Sequence, residues 1–138
     1  MKNQLLALLG LGLLLTTASA RAQTGVVRAN IPFDFVVTGQ TLPAGEYTVR
    51  SVDMQGMMLS IRDSDQRPTG MVISHRCESL NRSARTKLVF HRYGSRYFLA
   101  QIWREGDRSG YELPKSNHES EVAQDYPFQD VVLAARLR

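Results

Sequence analysis

The chain predicts an all-β fold, an antiparallel β-sandwich or small barrel of about seven strands with one short helix near the C-terminus. Three observations carry this expectation. Short runs rich in Val, Ile, Phe, Tyr and Thr alternate with turn residues at close spacing from Val26 to Leu113. Gly94-Ser95 joins two β-rich runs between Arg85 and Trp103, with Gly in the first central position of a two-residue hairpin loop. Ser116 followed three residues later by Glu119 forms a capping box for a helix that must end before Pro127. The alternation is common to sandwiches and barrels, so it leaves both open.

The N-terminus reads as a secretory signal peptide. Lys2 supplies a positive charge, Leu5 to Leu15 an apolar run, and Thr16 to Ala22 small residues with Ala at alternate positions. Crossing a bilayer takes roughly 17–25 apolar residues, so this run is too short for an anchor. Cleavage fits after Ala20 or after Ala22, and the second is favoured. Residues 1–22 are thus the expected signal peptide and 23–138 a single β domain of ordinary size, exported to the periplasm or beyond, with no transmembrane segment after cleavage. No Cys follows either cut site, so a lipidated N-terminus is not expected.

The first extended stretch, Val26 to Val37, places Ile31, Phe33, Phe35 and Val37 on one face, with Asn30, Asp34 and Val36 opposite, and Pro32 argues for an edge or a bulge. Leu42-Pro43-Ala44-Gly45 has the Pro and Gly placement of a type I turn. Tyr47 and Val49 begin the next strand. Met57, Leu59 and Ile61 follow a Met54-Gln55-Gly56 turn, which suggests a hairpin with a three-residue loop. Asp63 to Pro68 is a polar loop, and Met71 to Cys77 resumes as strand.

In the Gly94-Ser95 hairpin, pairing Tyr93 with Arg96 sets Arg92 beside Tyr97, His91 beside Phe98, Phe90 beside Leu99 and Val89 beside Ala100. One face then carries Leu88, Phe90, Tyr97, Leu99 and Trp103, and the other Val89, His91, Phe98, Ala100 and Ile102. Two apolar faces imply a central hairpin covered on both sides, or one face that receives a ligand or partner. Tyr97, Phe98 and Trp103, with Arg92, are therefore the candidate ligand-binding residues. Only Val122 and Ala123 are apolar in the helix, which reads as a surface element. Val131, Leu133, Ala135 and Leu137 alternate in a last strand.

Chemistry is sparsely marked. There is no Gly-x-Ser-x-Gly elbow, no phosphate-binding glycine loop and no paired Cys motif, so catalysis is not the expected role and no catalytic residue is assigned. The strongest metal candidates are His75 and Cys77, two apart on one strand, joined by His91 if the two strands are neighbours; zinc accepts such donors. Against this, a histidine opposite Phe98 is more often a hydrogen-bonded core residue, and no cofactor is expected. The lone Cys77 has no partner for an internal disulfide and reads as a buried thiol, with pairing between chains the alternative.

The 17 Lys and Arg and 13 Asp and Glu give a net charge of +4, and cleavage removes Lys2 and Arg21, a balance that argues against nucleic acid as a partner. Arg76, Arg82, Arg85, Lys87, Arg92 and Arg96 nonetheless cluster in a window whose only acid is Glu78. Such a patch suits anionic envelope polymers or lipid head groups. The plainer expectation is a solvated face, or pairing with Glu112, Glu119, Glu121, Asp125 and Asp130.

Ile31-Pro32-Phe33-Asp34-Phe35, the Leu42 to Val49 segment LPAGEYTV, the Lys87 to Trp103 segment KLVFHRYGSRYFLAQIW and Glu112 to Ser116 (ELPKS) together make the chain resemble a family of short exported bacterial proteins of unknown function. The resemblance covers most of the chain after the signal segment, and Lys87 to Trp103 is its specific part. It implies an exported β protein and brings no catalytic residue with it. The expected role is a non-catalytic binding or envelope-associated module. The alternatives are a carrier of a small apolar ligand, with Tyr97, Phe98 and Trp103 near its pocket, and a metal-dependent enzyme.

Overall fold

A computed structural model describes residues 25–137, so the expected signal peptide lies outside the described residues. Among the described residues twelve short strands and one helix follow in order: β1 (Val27–Ile31), β2 (Phe35–Val37), β3 (Gln40–Leu42), β4 (Gly45–Ser51), β5 (Met58–Arg62), β6 (Pro68–Ile73), β7 (His75–Glu78), β8 (Lys87–Tyr93), β9 (Arg96–Trp103), β10 (Ser109–Glu112), α1 (Asn117–Asp125), β11 (Gln129–Ala134) and β12 (Arg136–Leu137). They form two sheets that make a sandwich, not a closed barrel. The first has the order β12-β1-β4-β5-β6; the second runs β11-β8-β9-β10-β7, with β2 lying parallel to β9 and β3 beside β2.

The strands outnumber the seven expected because three apolar stretches are each divided between the sheets. Pro32 ends the first, leaving β1 in one sheet and β2 in the other. Ile31, Phe35 and Val37 still reach the core, with Phe33 packed against it, and Val36 faces away as the two-residue period requires. The Met71 to Cys77 stretch breaks at Ser74 into β6 and β7. Ser74 is fully buried, its N–H bonded to the Met57 carbonyl at 2.7 Å and its hydroxyl to the Gly56 carbonyl at 2.7 Å, so the crossing costs no unpaired polar group. The last stretch breaks at Ala135, whose N–H bonds the Thr86 carbonyl. The loop between β4 and β5 spans 52–57 rather than three residues, closed by Val52 N–H to the Met58 carbonyl.

One core lies between the sheets. Ile31, Phe35, Val49, Leu59, Ile61, Leu88, Phe90, Leu99 and Ile102 are among its buried members. Phe35 and Phe90 meet edge to face at 5.8 Å, and Phe35 meets Tyr47 likewise at 5.1 Å. A second, smaller cluster, Val36, Tyr93 and Phe98, lies on the outer face of the seven-stranded sheet beneath Val122 and Ala123 of α1. The helix is therefore a cover for that face, which its two apolar residues alone did not suggest.

The β8–β9 hairpin turns at Gly94, whose φ of 60° lies in the left-handed region. Its pairing agrees with expectation from Tyr93–Arg96 to Phe90–Leu99 and then slips: Val89 lies opposite Gln101, not Ala100. Ala100 is the extra residue of a β-bulge. The cause lies in Gln101. Unbroken alternation puts it on the face of Leu99 and Trp103, where an amide would be buried among apolar side chains without a partner. The slip sends Gln101 outward and carries its neighbours with it. Ile102 joins the core, contrary to expectation, and Trp103 turns to the outer face beside Lys87 and Val89.

Candidate functional site

The outer face of the seven-stranded sheet divides into a covered end and an open end. At the covered end, Ser116 caps α1 by accepting the Glu119 N–H at 3.1 Å. The side chain of Glu119 does not return to the cap. It turns down onto the sheet, where it is 5% exposed and accepts hydrogen bonds from the Tyr93 hydroxyl at 3.0 Å and His91 Nδ1 at 3.1 Å. Because the carboxylate accepts there, Nδ1 carries the proton, and Nε2 faces Asp130 Oδ1 at 3.6 Å. Phe128 lies 4.5 Å from the imidazole ring. Burial first, and the bond and charge of Glu119 second, push the Tyr93 hydroxyl up to about 12. Tyr93 and Glu119 of this network are buried beneath α1, and His91 keeps a small exposure.

At the open end lies a cleft of about 410 Å³. Its floor is Val89, Gln101 and Trp103 of the hairpin with Val132 of β11; Lys87 and Asp130 stand at its sides, and the chain from Ser79 to Ala84 forms its rim. Val132 is 54% exposed. The Trp103 ring packs on Gly110, where a Cβ would approach it to 2.8 Å, and its Nε1–H donates to Gln101 Oε1 at 3.0 Å. Arg82 Nη1 donates to the Gly106 carbonyl at 2.7 Å, and the Ser83 hydroxyl to the Arg85 carbonyl at 2.7 Å. The rim is thus held to neighbouring backbone. Asp130 borders the cleft and also meets His91, so the two ends of the face share one residue.

The four candidate ligand residues part company. Only Trp103 lines this cleft. Tyr97 stacks on Phe33 with ring centroids 3.8 Å apart at the edge of the core, under the Arg92 guanidinium at 5.5 Å. Phe98 is buried beneath α1.

The candidate metal ligands are also not assembled. His75 and Cys77 share β7, at one edge of the sheet, whereas β9 and β10 stand between β7 and the β8 that carries His91. Among the described residues no group of three His, Cys, Asp or Glu is placed to hold a metal ion. Cys77 is half-buried, its thiol pushed up by burial and then by Glu112.

Sequence reasoning missed Gln101, Lys87 and Val89 as neighbours of Trp103, because the bulge reverses which residues share a face. The polar residue in an apolar run was the available signal. For the basic window the expectation was a solvated face or pairing with acids; Arg76, Arg82, Arg85, Lys87, Arg92 and Arg96 form no salt bridge among the described residues, so the pairing is not made. No described helix is long and apolar enough to cross a membrane. No family model, curated protein or solved structure matches the chain.

Proposed function

We propose that the chain is an exported, non-catalytic binding module whose binding face is the cleft beside Trp103. The carrying observation is the uneven cover of one sheet face: α1 seals one end, while the other exposes Val132 and Trp103-lined space between side chains already tied to their neighbours. A site whose side chains are held before binding loses less conformational freedom on association. Export rests on the leader pattern of residues 1–22. An interior carrier site has less support, because Phe35, Phe90, Leu99 and Ile102 fill the space between the sheets.

Trp103 is the only Trp, so its emission reports the cleft directly. Protein purified from the exported fraction, with Gln23 as its first residue, is titrated with fractionated envelope material. At least one fraction is expected to shift Trp103 emission saturably, and Val132→Glu, at the exposed floor, to abolish the shift. Silence of Trp103 toward every fraction, or a turnover activity lost on replacing a single polar residue, defeats the proposal.

A further inference from the structure

Resting on that reading of the cleft, we infer that its ligand is an acidic saccharide, a sugar ring bearing a carboxylate. The inference comes from counting donors and acceptors. Trp103 Nε1–H can only donate, so the Gln101 atom facing it is the carbonyl oxygen, which leaves the Gln101 amide N–H₂ as the free end. Lys87 has no acid partner among the described residues, and neither has Arg82, whose Nη1 alone is spent on a backbone carbonyl. Asp130 is the only acid lining the cleft, one carboxylate against two cations. The cleft therefore presents an excess of donors and two cations to whatever enters it.

Such a site selects a ligand rich in acceptors and carrying negative charge. Exposed Val132, with the small accessible parts of Val89 and Trp103, adds an apolar element to the floor, which a bare phosphate or sulfate has no surface to meet. A saccharide presents both parts, hydroxyl and ring oxygens at its edges and apolar C–H groups on its faces. The carboxylate is the group for Lys87 and Arg82. The volume suits a small ligand or a short stretch of a longer chain, and the cleft's opening at the surface lets a polymer run through it.

The test uses digalacturonate and its dimethyl ester, which differ in charge and share their rings, with Trp103 emission as the readout. The acid is expected to bind saturably and about tenfold more tightly than the ester, the ratio typical of one charge-assisted hydrogen bond. Lys87→Gln should bring the two within about twofold of each other without lowering the melting temperature. Arg82→Gln, at the exposed rim, is a second variant that should narrow the same gap. Equal binding of acid and ester by the unaltered protein, or glycerol phosphate binding as tightly as the acid, overturns the saccharide assignment. Silence toward digalacturonate with a continuing response to an envelope fraction overturns the ligand class and leaves the binding proposal standing; silence toward both defeats the two together.

Discussion

The covered and open ends of the outer sheet face are built from the same two strands and carry similar side chains, yet they do different things. At the covered end an aromatic pair, Tyr93 and Phe98, lies under a helix, and its polar atoms are satisfied by one buried carboxylate. At the open end an aromatic residue with equally satisfied polar atoms lies beside unpaired cations and solvent. The difference teaches that apolar content alone does not identify a binding surface. What separates structural packing from an available site here is whether another element of the same chain has already claimed it.

The comparison breaks most visibly at Glu119. Glu119→Ala leaves a buried tyrosine hydroxyl and a histidine N–H without their acceptor, and should cost about 2–3 kcal/mol in chemical denaturation, whereas Glu119→Gln, which keeps an acceptor, should cost less. Trp103 emission should remain near that of the unaltered protein in both. The pH profile sharpens the point. The Tyr93 pKa is raised in the folded state from 10.0 to about 12, so the folded protein retains a proton that the unfolded chain has lost. Its contribution to stability is complete below pH 10 and is lost as the pH rises toward 12. Tyr93→Phe should flatten that part of the stability profile, and absorbance at 295 nm should show that the variant has lost a late-titrating tyrosine.

A change at the open end should be smaller in stability and larger in fluorescence. Gly110→Ala places a methyl group 2.8 Å from both the Trp103 ring and the Ile102 carbonyl, and should destabilise by about 1–3 kcal/mol while shifting Trp103 emission to longer wavelength as the ring is lifted. An unchanged spectrum would mean that Trp103 does not rest on Gly110. The mildest change is Arg92→Ala at the hairpin tip, where loss of the contact with Tyr97 should cost about 0.5–1 kcal/mol and leave both ends of the face as they were.

Much of this fold was legible from alternation and turn residues: the hairpin at Gly94, its first four residue pairs, the Ser116 cap and the apolar face of Ile31, Phe35 and Val37. The divisions were not, since an apolar run looks the same whether it stays in one sheet or crosses at a Ser74 whose polar atoms find partners far along the chain. The helix offers a parallel case. Its cap was readable within four residues, but Glu119 leaves the cap to bond Tyr93, 26 residues away, and no local pattern contains that pairing. Trp103 was named as a binding residue for an apolar hairpin face, and it reached the cleft through a register slip instead.

That slip makes the cleft a matter of counting. Between the turn at Gly94 and Trp103 the strand holds one residue more than its partner requires, and the count along that partner decides whether an indole or an isoleucine faces outward. No substitution at Ala100 alters the parity, because any residue there occupies the same extra place. Nor does removing that residue, since Leu99 and Gln101 then follow each other in an unbroken ladder with Gln101 still opposite Val89 and Trp103 opposite Lys87. Adding one residue to β8 opposite Ala100 would: a ladder without the slip acts like a frameshift in three dimensions, turning Gln101 and Trp103 to the interior side and Ile102 to the surface. Scanning the hairpin by replacement would therefore understate its importance, and chains with very similar residues but a different strand length would present a different outer face.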